Sequence, residues 1–233
     1  KTILKYQIDV FRSYRINDIT VVTGYKADKI KMKGVNFLHN QNYDATNMVE
    51  TLFCAKEKLT ENVIISYGDI IFEKNVIEKL IDSQEDFSVI IDKNWKKYWS
   101  MRFENPLDDA ESLILDDDNY IRNIGQKVLN SDQIQGQYIG LMKFQGKGLD
   151  NLKEFYHKVK KDAKTGTNPL NPDAPFENSY MTDFIQGLVN KGFKIKAIPI
   201  KGSWLELDSL SDYELYNKKY TDKTLSELIS LES

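Results

Sequence analysis

Cysteine is almost missing from this chain. Cys54 is the single one in 233 residues, so no disulfide can form within it, and its place in an amphipathic helical pattern reads as a small core residue. No apolar run approaches the ~18 residues that crossing a bilayer requires. No signal peptide is visible, and a cytoplasmic protein is expected. No Lys/Arg-rich block occurs in a chain of net charge −3, which argues against a nucleic-acid partner. The two histidines, His39 and His157, have no partner at metal-ligand spacing. Walker phosphate loop, Gly-x-Ser-x-Gly elbow and cysteine pair are all lacking, which removes the common phosphate-loop and nucleophile signatures.

What is present is an apolar, aromatic chain. Hydrophobic residues make up 41%, with 13 Tyr and 11 Phe, enough for a sizeable core. The length fits one domain over residues 1–233, with room for an insertion. Residues 2–14 carry Ile3, Leu4, Ile8 and Phe11 at helical spacing. A buried strand over 18–24 ends at Gly24, a second covers 35–39, and a helix follows over 46–59 with Thr46 or Asn47 as its cap. Strands at 63–66 and 87–91 bracket a helix at 74–83. This alternation predicts an α/β fold with a mostly parallel sheet covered on both faces, whose ligands sit beyond the carboxyl ends of the strands.

The pattern changes in the middle. Segments 112–115 and 120–124 flank Asp116-Asp-Asp-Asn119, which reads as a hairpin turn. A Ca²⁺ loop would need Glu at its twelfth position, where Lys127 stands. A strand at 136–144 and a helix to about 161 precede a Pro-containing loop or lid at 162–176. A helix over 177–190, a strand over 193–200 and two short helices complete the order. The helical pattern starts directly at the first residues, and a further segment ahead of Lys1 is expected.

Two acidic sites stand at apolar strands. Asp69 ends Asn62-Val-Ile-Ile-Ser-Tyr-Gly-Asp69, and Glu206 and Asp208 alternate in Trp204-Leu-Glu-Leu-Asp208. Alternate strand residues share a face, so the pair can present two carboxylates to one point. Three oxygens converging there suit Mg²⁺ and phosphoryl or nucleotidyl chemistry. A strand-ending turn accounts equally for Asp69 alone, and the solvent face of an edge strand for the pair. The segment Asp92-Lys-Asn-Trp95-Lys-Lys-Tyr98-Trp99-Ser-Met-Arg102 is dense in rings and cations. It reads either as a cap packed over the sheet or as an aromatic wall for an ammonium group, with Arg102 taking a phosphate. Tyr180 and Asp183 complete such a pocket or simply start a helix. Lys127 follows a strand and a glycine and can point into a cleft, as an ordinary surface lysine also can.

In this order the chain resembles the nucleotidyltransferases of GT-A-like, Rossmann-like fold, and within them the phosphocholine cytidylyltransferase-like branch. The resemblance rests on Val21-Val-Thr-Gly-Tyr-Lys26, Asn47-Met48, Ile65-Ser-Tyr-Gly-Asp69, Asn105-Pro-Leu-Asp-Asp-Ala-Glu111, Gly136-Gln-Tyr-Ile-Gly140, Tyr180-Met-Thr-Asp183 and Trp204-Leu-Glu-Leu-Asp208. It implies an enzyme that joins CTP to a phospho-alcohol or a phosphonate and releases pyrophosphate. It further implies Mg²⁺ at Asp69, Glu206 and Asp208, and the nucleotide approached at Asn47 and Gly68. Lys127 would meet the acceptor phosphate, and Trp95, Tyr180 and Asp183 would hold an aminoalkyl or choline head. The family's Gly-rich segment, with its Arg and Pro-Lys pair, has no counterpart in residues 1–233. Sugar 1-phosphate or inositol phosphate acceptors, a GT-A glycosyltransferase and an inactive nucleotide-binding module stay open as alternatives. A homodimer is left open, and neither nucleic acid nor membrane is expected as a partner.

Overall fold

Thr2 starts the first helix. Its hydroxyl accepts from the backbone N–H of Lys5 at 3.2 Å, satisfying a donor that a helix start otherwise leaves without a partner. In the computed structural model, which describes residues 1–231, α1 (Ile3–Ser13) is followed by the parallel pair β1 (Thr20–Thr23) and β2 (Asn36–His39). Then come α2 (Met48–Phe53), β3 (Asn62–Ser66), β4 (Ile70–Phe72), α3 (Lys74–Asp82), β5 (Phe87–Asp92) and α4 (Trp95–Arg102). The hairpin β6 (Glu111–Leu115) and β7 (Ile121–Lys127) precedes β8 (Gln137–Gln145) and α5 (Lys147–Ala163). The chain closes with α6 (Met181–Asn190), β9 (Lys196–Ile200), β10 (Trp204–Glu206) and α7 (Leu210–Thr221).

The central sheet has the order β3-β8-β5-β9. Strand β8 runs antiparallel to both its neighbours, and β5 and β9 are parallel. The expectation of a mostly parallel sheet is therefore too simple: the chain passes through the β6–β7 hairpin after β5 and re-enters the sheet reversed. Every residue of β5 is buried. Val89 and Ile91 join one apolar cluster with α2, α5 and α6, and Ile90 joins the other with α1, α3 and α4, as alternation along a strand dictates.

The Asp116–Asn119 turn is a turn. Asp116 accepts from the backbone of Asp118 and Tyr120 at 3.1 and 2.8 Å and pairs with Arg122. The helix expected at 177–190 starts later, at Met181. A short 3₁₀ turn spans Phe176–Asn178, and the Asp183 carboxylate accepts from the Tyr180 N–H at 2.9 Å. Among the described residues no helix is long and apolar enough to cross a membrane.

Two features position the site. First, β4 pairs antiparallel with β10, with Glu206 opposite Ile70, and Leu207 donates its N–H to the Asp69 carbonyl at 3.0 Å. Second, a cleft of about 780 Å³ separates β1 from β3. It is lined by Ile8 and Phe11 of α1, Val21 of β1 and Val63 of β3. Neither β1 nor β3 has a partner strand on that side among the described residues.

Candidate active site

The β4–β10 ladder brings together acids that lie well over a hundred residues apart in sequence. Asp69 precedes β4 and Asp208 follows β10, so both acids stand at one end of the short ladder, where the charge of Asp208 acts on Asp69. Asp69 Oδ1 is buried and has no hydrogen-bond partner among the described residues. Burial raises the Asp69 pKa above the usual carboxylate range, and the charge of Asp208 adds to the rise. A buried acceptor left open in this way is costly unless something else satisfies it.

Arg102, at the end of α4, supplies a positive charge that acts on Asp69 and pairs with Asp208. Its side chain is 1% exposed and donates to three carboxylates. Nε and Nη2 form a fork on Asp212 at 2.8 and 3.0 Å, Nη1 reaches Glu206 Oε2 at 2.5 Å, and Nη2 reaches Asp208 Oδ2 at 3.0 Å. Arg102 is thus spent on the protein's own acids and is not open to a substrate phosphate, contrary to the sequence expectation. Glu206 is tied to the same guanidinium. Burial, with Asp208 beside it, lifts Glu206 to about 8 against the opposing pull of Arg102.

Of the three residues expected to hold Mg²⁺, Asp69 and Asp208 have the character the ion needs: an open buried oxygen and a carboxylate 45% exposed. No group of three His, Cys, Asp or Glu side chains forms a ready metal cage among the described residues. Two carboxylates suit Mg²⁺ nonetheless, because that ion keeps waters and completes its shell with substrate phosphates.

The rings of α4 do not form an open wall. Trp95 is 5% and Tyr98 6% exposed. Tyr98 packs edge-on against Trp99 and Trp204 at 5.5 and 5.3 Å between centroids. The α4 segment is a core cap, and the expectation that Trp95 and Tyr98 touch an acceptor gives way to packing. Asp92, 0% exposed, fixes what lies beneath: it accepts from the backbone of Asn94 and Gly202 and from Trp204 Nε1 at 2.8, 2.9 and 3.0 Å. Those bonds hold the approach to β10, and so Glu206 and Asp208.

Glu111 and Asp183 form a second acidic pair. Glu111 opens β6 and is lifted to about 7, first by burial and then by the charge of Asp183, while the Thr182 hydroxyl opposes the rise. Asp183, 7% exposed, also accepts from Asn171 at 3.5 Å, and burial raises its pKa as well. Tyr67 feels the charges of Glu111, Asp69 and Glu206 together. Its ring lies over Gly140, at φ +79°, where a Cβ would come within 2.5 Å of it, so a side chain there is excluded. Tyr180 is 50% exposed, and Lys127, exposed at the end of β7, stands opposite Glu111 in the hairpin register. Sequence reasoning placed Glu111 in a motif without giving it a role. Its burial is the missing signal.

Asn47 caps α2, its side-chain oxygen accepting from the Met48 N–H at 2.8 Å. With Gly68 and Asp69 it lines the 780 Å³ cleft. A Cβ on Gly68 would meet nothing within 4 Å, so this stretch of backbone is open to a ligand.

The model of the MobA-like NTP transferase domain matches residues 1–117. The chain is 40% identical to a CTP:phosphoglutamine cytidylyltransferase of Campylobacter jejuni, over 94% of this chain and 88% of that protein. The chain belongs to the MobA-like NTP transferases. Two solved structures share the fold of this MobA-like transferase. A CTP:phosphocholine cytidylyltransferase from Streptococcus pneumoniae aligns with a TM-score of 0.69 at 20% identity, covering 94% of this chain and 86% of that one. An inositol-1-phosphate CTP transferase from T. maritima aligns with a TM-score of 0.65 at 15% identity, covering 98% and 84%. The fold is the Rossmann-like GT-A type with a mixed sheet.

Proposed function

We propose that this chain is a Mg²⁺-dependent cytidylyltransferase acting on a small acceptor that carries a phosphate or phosphonate at one end and a primary ammonium at the other. The observation that carries the reading is the open, buried Asp69 Oδ1 beside Asp208 at the mouth of the cleft. Asp69 and Asp208 would hold the ion, which when bound draws charge from the nucleotide phosphates. An acceptor oxygen attacks the α-phosphorus of CTP, a new P–O bond forms, and the bond to the β,γ-pyrophosphate breaks. The acceptor is already anionic, so no side-chain nucleophile is needed, and the protein's share is alignment and charge stabilisation.

The ammonium end follows from Glu111 and Asp183. The half-buried Glu111 and the buried Asp183 offer hydrogen-bond acceptors to N–H groups, which a primary ammonium has and a quaternary one lacks. A choline head would instead need open ring faces, and the α4 rings that could supply them are buried. The name of the Campylobacter relative, a phosphoglutamine enzyme, supports an acceptor that joins a phosphoryl group to an amino acid. Lys127 would take the acceptor's phosphoryl end. Replacing Lys127 with Ala is expected to raise the acceptor KM about tenfold while leaving the CTP KM unchanged, a charge-assisted contact being worth ~1.5–3 kcal/mol.

Gln7, in the first half of α1, donates to the carbonyls of Tyr67 and Ile70 just past the carboxyl end of β3. The test is pyrophosphate release with CTP and Mg²⁺. Phosphorylated primary amines and 2-aminoethylphosphonate are expected to be faster substrates than phosphocholine and glucose 1-phosphate. Preference for the sugar phosphate would overturn the assignment of the acceptor.

Glu111 also gives a pH signature. Its carboxyl ionises near 4.5 in an ordinary setting and near 7 here, so between those values the folded chain holds a proton that the unfolded chain has lost. Stability from this group is complete below the lower value and falls as pH rises to the upper one. Glu111→Gln is therefore expected to unfold less readily than the parent by about 2 kcal/mol at about pH 8, with the gain vanishing near pH 4. Urea unfolding at both pH values measures this, and an equal effect at both would contradict the burial argument.

A further inference from the structure

Arg102 makes four hydrogen bonds to three carboxylates, and the three are held very differently. Asp212 is 4% exposed and takes the planar fork. It also accepts from the Ser209 hydroxyl and from the backbone N–H groups of Asp208 and Ser209, at 2.9, 3.1 and 3.1 Å. That carboxylate is an anchor, clamped to α7 and to the guanidinium at once. Glu206 is 23% exposed and Asp208 45%, so Asp208 is the partner most able to turn toward a ligand. The guanidinium itself cannot drift: the rings of Phe103, Tyr98 and Trp99 lie 5.1, 5.4 and 5.8 Å from Cζ.

We propose that Arg102 is the positioning residue of the acidic site, aiming the Asp208 carboxylate toward the oxygen that Asp69 leaves open and so setting how tightly a divalent cation binds there. The inference rests on the reading of Asp69 and Asp208 as the cation's ligands. A positive charge in this place repels a cation, so charge alone would weaken binding. The benefit is geometric, and it depends on the fork. A planar guanidinium reaches Asp212 with two nitrogens while one of them also meets Asp208; a lysine ammonium is a single point on a flexible stem and cannot hold both in register. Arg102→Lys therefore keeps the charge and removes the aim.

The experiment is Mn²⁺ titration of the full chain without nucleotide, with free Mn²⁺ read by electron paramagnetic resonance. Arg102→Lys is expected to weaken Mn²⁺ binding about tenfold, the usual scale for losing a group that orients a metal ligand. In an Asp208→Asn background the same Lys substitution should change affinity less than about twofold, since the aimed carboxylate is gone. A purely structural role would leave Mn²⁺ affinity unchanged, or lower it equally in both backgrounds; either result overturns the inference. If circular dichroism shows Arg102→Lys to be unfolded, Asp212→Asn takes its place, loosening the same fork with the same expected loss and the same dependence on Asp208. A parent protein that binds no Mn²⁺ sinks the cation reading and the inference with it. A parent that binds, with a variant that binds equally well, sinks the inference alone.

Discussion

Asp208→Ala is expected to lower the turnover number by about a thousandfold and to leave the protein folded. The size of the loss follows from the reaction. With an anionic acceptor and no side-chain nucleophile, the rate rests on charge placed where the α-phosphorus is attacked, and removal of one such group costs ~10²–10³ or more in turnover. Asp208 is also the cheapest of the acids to lose structurally. It is 45% exposed and holds one of the four Arg102 bonds, while Asp212 and Glu206 keep the others. Single-turnover assays with saturating CTP, beside thermal melting, separate the two effects. Turnover within tenfold of the parent would remove Asp208 from the chemistry.

The second large effect falls on stability. Asp92→Ala is expected to cost about 2–4 kcal/mol, because the buried Trp204 Nε1–H loses its acceptor at ~1–3 kcal/mol and the part-buried N–H groups of Asn94 and Gly202 lose theirs at a smaller cost each, Asp92 itself being 0% exposed. Against a total of ~5–15 kcal/mol for a typical protein, this removes a substantial share. Loss of the Trp204 Nε1 bond at 3.0 Å would also free the entrance to β10, so whatever folds should bind Mn²⁺ more weakly. Urea unfolding is the measurement, and a loss under about 1 kcal/mol would contradict the role given to this carboxylate.

The layout of the α/β core was legible in the sequence because its strands are short apolar runs ending in Gly or Asp, and its long helices repeat apolar residues at helical spacing. Asp69, Glu206 and Asp208 were legible for the same reason, as acids interrupting apolar strands. The link between them was not. Strand β4 is three residues, Ile70–Phe72, too short to show a period, and its partner lies more than a hundred residues on. Nor could the fate of Trp95, Tyr98 and Arg102 be read. A run of rings and cations has the same composition whether it lines a pocket or caps a core, and here Trp204 and three distant carboxylates decide for the core. Glu111 stayed without a role because burial, which sets its pKa, is a tertiary property.

The most direct measurement is ³¹P NMR of the protein incubated with CTP, Mg²⁺ and a phosphorylated primary amine. The account predicts loss of the CTP signals with matched growth of free pyrophosphate and of a new CMP-linked product, and none of either for Asp208→Ala. CTP that stays intact with every phosphorylated or phosphonate amine, or a product that carries the γ-phosphate in place of CMP, would contradict it.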